Sequence, residues 1–177
     1  MKNIELTKVE VGKVFKIGDF EFIKFSENEG RTIAVSKDIA FRSAFGENNN
    51  FNESDVFKRL NDEFLPKIIN EVGEENVLEF ETDLTTLDGL KPYGVLKSKI
   101  SIPTFDFYRA NVEMFDKYKV DGWWWLATPD TAPPHYEPSW RLCVSPDGRI
   151  YGGIYRYDYG VRPFLNFVSS IFVFCED

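Results

Sequence analysis

Histidine and cysteine are almost missing from this chain, which holds one His, His135, and two Cys, Cys143 and Cys175. A structural zinc site draws its ligands from these residue types at close spacing, and one His with two distant cysteines does not supply them. There is no Cys-x-x-Cys pair, so the cysteines are expected to be small buried or edge residues of a reducing compartment, not a bridge. Serines are present, but no Gly-x-Ser-x-Gly elbow, and His135 has no evident catalytic partner. A phosphate-binding glycine loop, a His-Glu-x-x-His pair and an EF-hand pattern are also lacking. Carboxylates are plentiful, with Asp and Glu at 29, so chance proximity and a charged surface account for most of them. The sequence therefore predicts no catalytic residue, no metal and no cofactor; the chain is not expected to be an enzyme.

Positive charge is in deficit. Lys and Arg number 21 and the formal net charge is -8. A phosphate backbone or anionic bilayer repels such a protein, so nucleic acid and membrane surfaces are not expected partners. No apolar run approaches the roughly 20 residues that span a bilayer, which argues against membrane insertion. The start, Met1-Lys2-Asn3-Ile4-Glu5-Leu6, lacks the apolar core of a signal peptide and predicts synthesis in a cytoplasm.

Aromatic residues are what the chain has in excess. They make up 16% of it, with 17 Phe, and call for a large, stiff core. The apolar fraction of 43% and the charged fraction of 28% are ordinary for a globular protein, and 177 residues suit one domain over 1–177. Within it, 1–120 reads as an N-terminal meander and helices, and 121–177 as a Trp-rich sheet.

Residues 13–36 alternate as an antiparallel meander with turns at Gly18-Asp19 and Asn28-Glu29-Gly30. The Asn-rich stretch 43–52 reads as a loop. Val56, Phe57, Leu60, Phe64, Ile68 and Val72 then recur near the helical period. Asn52 or Ser54 is placed to cap this helix. Pro66 predicts a kink or a fresh start, and Gly73 a stop. A short strand is expected over Val77–Thr82 and a turn-rich loop over Thr85–Gly94. Thr104 is placed to cap a second helix running to about Tyr118. Five strands follow: Trp123–Ala127, Trp140–Ser145, Arg149–Tyr155, Val161–Phe167 and Ile171–Phe174, with Pro146-Asp147-Gly148 as a hairpin turn. Fold class is thus α+β, two helices bracing twisted antiparallel sheets.

The informative stretch is Asp121 to Phe174. Trp123-Trp124-Trp125-Leu126-Ala127-Thr128-Pro129 opens it and Gly160-Val161-Arg162-Pro163-Phe164 closes it. Trp124 and its neighbours should alternate between the core and the opposite face. Arg162 is expected to hold loop carbonyls or a carboxylate, because an unpaired buried charge is costly; a ligand role is the second choice. Between these anchors lie His135, Tyr136, Ser139, Tyr151, Tyr155, Arg156, Tyr157, Asp158 and Tyr159. Tyr, Ser, Arg and Asp between apolar strands suit a binding surface, since Tyr offers wide contact and a polar tip at small entropic loss. They equally suit a half-covered sheet, where β-propensity favours Tyr, and composition alone leaves both readings open.

Trp124-Trp125-Leu126-Ala127-Thr128-Pro129 with Gly160-Val161-Arg162-Pro163 resembles the C-terminal signature of a domain family of unknown function common in gut bacteria and their phages. The resemblance extends over nearly the whole chain, including Leu84-Thr85-Thr86-Leu87-Asp88-Gly89. It implies a C-type-lectin-like fold and a likeness to the variable target proteins of diversity-generating retroelements. In those systems adenine-directed errors turn Asn codons into codons for Tyr, Asp, Ser, His, Gly, Arg and others on a fixed scaffold. By that resemblance the nine residues between the anchors form a diversified ligand-binding face, and Trp124, Trp125, Arg162 and Pro163 belong to the scaffold. Glu137 and Trp140 are not reachable by such errors and would be scaffold too. Sugar-binding C-type lectins hold calcium through Glu-Pro-Asn or Gln-Pro-Asp plus Trp-Asn-Asp. This chain has Glu137-Pro138-Ser139 and no Trp-Asn-Asp, so calcium-dependent sugar binding is not expected. Nor do Cys143 and Cys175 match the cysteine pair of the formylglycine-generating enzymes that share the fold. The expected partner is a protein or a surface glycan, with virion display if a phage encodes the chain. The alternative is a structural or assembly module that uses the same face as a fixed interface.

Overall fold

A computed structural model describes residues 1–133 and 140–176. Its strands are β1 (Lys2–Glu5), β2 (Val14–Ile17), β3 (Phe20–Asn28), β4 (Arg31–Ser36), β5 (Phe41–Ser43), β6 (Phe80–Asp83), β7 (Val95–Ser98), β8 (Ile100–Ser101), β9 (Trp124–Pro129), β10 (Trp140–Val144), β11 (Ile150–Ile154), β12 (Tyr159–Val161), β13 (Phe164–Val168) and β14 (Phe172–Cys175). The helices are α1 (Asp55–Arg59), α2 (Leu65–Val72), α3 (Phe105–Ala110) and α4 (Val112–Lys117). The class is α+β, with sheets that are mostly antiparallel.

A seven-stranded sheet runs β1-β14-β2-β3-β4-β13-β8, and a five-stranded sheet runs β11-β10-β9-β12-β5. The meander expected over 13–36 is β2–β3–β4, paired Phe15↔Phe22 and Ile23↔Val35. The two portions of the sequence interleave. β13 and β14 join the meander sheet, while β5 pairs with β12 in the other.

Side chains on opposite faces of the large sheet enter different apolar clusters, as strand alternation requires. Phe15, Phe22 and Ala34 meet Val56, Leu60, Phe64 and Ile68 of the first helical segment. Ile23, Phe25 and Val35 meet Tyr108 and Phe115 of the second. The first segment starts where Ser54 Oγ accepts from Phe57 N at 2.9 Å. It passes through a π-helical stretch, Leu60–Phe64, and restarts at α2 with Pro66 in the first turn, where a missing N–H does little harm. In the second, Thr104 Oγ1 accepts from Phe107 N at 3.1 Å.

Several expectations need correction. The second helix is not continuous to Tyr118: it breaks at Asn111 (φ -126, ψ 26), whose Nδ2 donates to Phe107 O instead of leaving that carbonyl to the helix. The strand expected over Val77–Thr82 lies at Phe80–Asp83, because Leu78 N is drawn to Asn166 O at 2.8 Å. The stretch 43–52 is not all loop, since β5 takes its first residue and a short 3-10 turn covers Phe51–Glu53. The strand expected over Val161–Phe167 is two strands in two sheets. Pro163 lacks an N–H for the ladder, and Arg162 turns to the Ser36 and Lys37 carbonyls. Trp124 and its neighbours do alternate, but neither face is open. Trp125 and Ala127 enter one cluster, Trp124 and Leu126 the other, and β9 is buried throughout. Against the antiparallel expectation, β9 and β12 run parallel at Gly160↔Trp124.

Candidate ligand-binding surface

The site is built outward from β9, the central strand of the five-stranded sheet. Trp125 is fully buried, and its Nε1 donates to Ser43 O at 2.9 Å. Its indole faces the backbone of β11 at Gly153, where a Cβ would stand 2.6 Å from Trp125 Cζ3 and 3.0 Å from Tyr159 Cε2. Only glycine admits this approach. The Gly148 of the hairpin before β11 takes φ 88, as its turn position requires.

Four aromatic rings continue from Trp125 towards solvent. Tyr159 tilts against Trp125 at 4.6 Å between centroids and stacks on Trp123 at 5.6 Å. Trp123 meets Tyr151 edge-on at 5.1 Å, and Tyr157 lies 5.6 Å from Tyr159. Tyr151 is 43% exposed and Tyr157 50%. The result is a strip of rings that is buried at Trp125 and open at Tyr151 and Tyr157. Burial pushes the Tyr159 phenol above its ordinary value, so it stays protonated near neutrality.

Tyr155 is half-buried and is contacted by two guanidinium groups. The Arg141 guanidinium carbon lies 4.9 Å from its ring centroid and that of Arg156 lies 5.1 Å away. Arg156 Nε donates to the Tyr155 hydroxyl at 2.8 Å, and Phe45 N donates to the Tyr155 carbonyl at 3.2 Å. Arg141, although 1% exposed, donates to Asn48 O and Gly46 O, both at 3.1 Å. Burial lowers its pKa to about 10, so it remains charged at pH 7. Arg156, Tyr157 and Asp158 form the exposed turn between β11 and β12.

Of the nine residues expected on one exposed face, Tyr151, Arg156, Tyr157 and Asp158 are exposed, and Tyr155 and Tyr159 are half-buried by the ring contacts just described. His135, Tyr136 and Ser139 lie outside the described residues, as does Glu137. The flanks of that segment are tied together. Asn49, 1% exposed, donates through Nδ2 to Thr131 O at 2.7 Å and to Trp140 O at 3.3 Å. Trp140 itself is 40% exposed and lies over Gly152.

Arg162 is 1% exposed and donates to Ser36 O through Nε (3.1 Å) and Nη2 (3.0 Å), and to Lys37 O through Nη2 (2.9 Å). Its guanidinium carbon also lies 5.0 Å from the Trp124 ring centroid and 5.2 Å from that of Phe115. Pro163 O accepts from Ser36 N at 2.9 Å, closing the same corner. Burial lowers the Arg162 pKa to about 10.

Trp123 in the strip, and Arg141 and Asn49 buried beneath the surface, are not among the residues the sequence singles out. Trp123 was visible only as part of the Trp run, and Asn49 as one Asn among several in a polar stretch. Arg141 carried the same signal as Arg162, a guanidinium inside an apolar strand. Among the described residues, no group of three or more His, Cys, Asp or Glu is placed to hold a metal ion, and no helix is long and apolar enough to cross a membrane. Comparisons with protein-family models, with curated proteins and with solved structures find no match to this chain.

Proposed function

We propose that this chain is a non-enzymatic ligand-binding protein that presents a Tyr-rich surface on a C-type-lectin-like scaffold. Its partner is a protein or a surface glycan. The observation that carries the reading is the aromatic strip Tyr151–Trp123–Tyr159–Tyr157, rigid at its root on Trp125 and exposed at its ends. Rings fixed before contact lose little freedom on binding, and tyrosine hydroxyls and the Arg156–Asp158 turn supply adaptable polar contacts. The two helical segments braced on a large sheet support the scaffold reading. The spread of Tyr151, Tyr155, Arg156, Tyr157 and Asp158 over one strand and one turn supports diversification by a retroelement on a phage or bacterial surface protein. Display in many copies would then offset weak single-site affinity.

The test is to sequence many copies of the gene with its genomic surroundings. The reading expects changes concentrated at the codons of Tyr151, Tyr155, Tyr157 and Asp158, opposite adenines of a nearby template, with Trp124 and Arg162 fixed. Changes that scatter over the chain, or spare these codons, overturn the diversified surface.

A second reading, a fixed assembly interface, is favoured by Trp140 and Ile154. They face each other across β10 and β11, each 40% exposed, and β11 is a sheet edge. Obligate interfaces are large and apolar. Sedimentation equilibrium at micromolar concentration decides between them for self-assembly: a monomer removes the homo-oligomeric form, and a dimer lost on Trp140→Ser supports it.

A further inference from the structure

A cavity of about 510 Å3 lies between α3, β6 and β13, and it shares no lining residue with the aromatic strip. The volume falls in the range of small-molecule pockets, roughly 300–1,000 Å3. Phe80, Phe105, Phe107 and Phe164 wall it, and each is only half-buried. Phe164 meets Phe80 at 5.1 Å and Phe107 at 5.0 Å, so these three rings form one continuous apolar wall. Leu87, 45% exposed, adds an apolar lip, fixed where its N–H donates to Pro129 O at 3.1 Å.

The hydroxyls of the wall have no free place for a ligand. Thr104 Oγ1 accepts from Phe107 N at 3.1 Å, Thr128 Oγ1 accepts from Phe105 N at 2.9 Å, and Ser101 Oγ donates to Ile102 O at 3.2 Å. Thr85 Oγ1 donates to Asp83 Oδ1 at 2.6 Å, and Thr86 Oγ1 to Asp88. Thr82 Oγ1 is sealed in the packing, with less than 1 Å2 accessible. What the interior offers is ring contact.

Charge enters at the mouth, and its two sides differ. On the α3 side, Asp106 is paired with Arg109 at 3.0 Å, and the Arg109 guanidinium carbon lies 5.3 Å from the Phe105 ring centroid. That side already holds a cation between a carboxylate and a phenyl ring. On the β6 side, Glu81 and Asp83 are both exposed and stand two residues apart, hence on one face of the strand. Lys97, the residue opposite Glu81, is taken by Glu79 at 3.1 Å. The Glu81 carboxylate makes no hydrogen bond or ion pair among the described residues. Asp83 accepts from the Thr85 hydroxyl (2.6 Å) and N–H (2.9 Å) through Oδ1 alone. The Thr85 hydroxyl first, its N–H next and the Lys91 charge after them hold the Asp83 carboxyl below its ordinary value, so it is charged at neutral pH. Two carboxylates thus border the apolar wall with oxygens open to a ligand.

We infer that this cavity is a second binding site, for a small aryl-alkyl ammonium ion. The ring lies among Phe80, Phe107 and Phe164, and the ammonium stands at the mouth beside Glu81 and Asp83. A neutral molecule of the same shape gains the ring contacts alone, and an acid meets charge of its own sign.

Ligand-observed saturation-transfer NMR titrations on the whole chain, at neutral pH and low salt, test this with benzylamine, benzyl alcohol and phenylacetate. Benzylamine is expected to bind about fivefold more tightly than benzyl alcohol, the effect of part-exposed ion pairs, and phenylacetate to bind weakest. Roughly 0.5 M salt should bring benzylamine down to the level of the alcohol. Glu81→Gln with Asp83→Asn in one chain is expected to weaken benzylamine about fivefold and benzyl alcohol little. Phe80→Ala should weaken both by several-fold. Should Phe80→Ala fail to fold, the carboxamide variant, confined to exposed positions, decides the matter. Absence of benzylamine transfer overturns the assignment and leaves a water-filled cavity. Benzylamine no tighter than the alcohol, or unchanged in the carboxamide variant, overturns it as well.

Discussion

The Tyr93 hydroxyl donates to Asn49 Oδ1 at 2.7 Å while the same Asn carboxamide, through Nδ2, holds the carbonyls of Thr131 and Trp140. One buried side chain thus joins the loop after β6, the polar stretch after β5 and both flanks of the segment 132–139. A carboxamide alone among the neutral side chains can accept from a hydroxyl and donate to two carbonyls at once. Asn49→Ala leaves the Tyr93 hydroxyl and two carbonyls unpaired and is expected to cost roughly 1–3 kcal/mol. Tyr93→Phe removes a single donor and should cost about 1 kcal/mol. Urea unfolding of both variants checks the order. An Asn49→Ala variant no weaker than Tyr93→Phe shows that the flanking carbonyls do not depend on Asn49.

Arg162→Lys keeps the charge and loses the fork. An ammonium cannot reproduce the planar pair of N–H contacts to Ser36 O together with the contact to Lys37 O, nor the flat packing against Trp124 and Phe115. The expected loss is roughly 2 kcal/mol or more, in the range of hydrogen bonds to charged groups. Thermal unfolding by near-ultraviolet circular dichroism reads both the stability and the Trp124 environment. A wild-type melting point would mean that charge alone holds this corner.

Acid should weaken the fold partly through Glu27. Lys24, 1% exposed, donates to Leu6 O at 2.9 Å and to Glu27. The Lys24 ammonium first, and the Thr7 hydroxyl after it, hold the Glu27 carboxyl below its ordinary value against the opposing effect of burial. A carboxyl with a lowered folded pKa adds stability that is complete above its unfolded value and is lost as pH falls through the folded one. Stability should therefore decline from about pH 4.5 downwards. Lys24→Met removes the hold, and this part of the acid slope should vanish from a series of denaturant midpoints. An identical slope in the variant assigns the acid sensitivity elsewhere.

The two thiols should differ in reactivity. Burial raises Cys143 to about 12 and its Sγ donates to Tyr151 O at 3.4 Å, so almost no thiolate forms near neutrality. Cys175 is also raised by burial but is only half-buried on the last strand. Native alkylation with iodoacetamide, read by peptide mass spectrometry, should label Cys175 first and Cys143 only on unfolding. Early labelling of Cys143 would mean that β10 and β11 open readily.

Diversity at Tyr151 and Tyr157 should be tolerated, and at Tyr159 it should not. Tyr157→Ala removes an exposed ring and is expected to change stability by about 0.5 kcal/mol or less. Tyr159→Ala strips the cover from Trp125 and Trp123 and should cost about 2 kcal/mol, because the half-buried ring loses its contacts with both indoles. Equal melting temperatures for the two variants would remove Tyr159 from the supporting layer.

What the sequence determined was local. Ser54 and Thr104 cap helices because a hydroxyl three residues before a free N–H needs nothing else, and Pro66 restarts a helix because it has no donor to lose. The meander followed from alternation and from turn residues a few positions apart. Tertiary structure decided whatever depends on distant partners. It paired β1 with β14, divided the strand at Arg162-Pro163 between two sheets, and buried both faces of Trp124–Pro129. It also made Asn49 a buried tie and left the Asn166 Oδ1 atom without a hydrogen-bond partner among the described residues. Two Asn side chains carry the same chemistry in a sequence, and only the neighbours that long-range packing brings, or withholds, set one to hold the fold and leave the other's buried oxygen unpaired among the described residues.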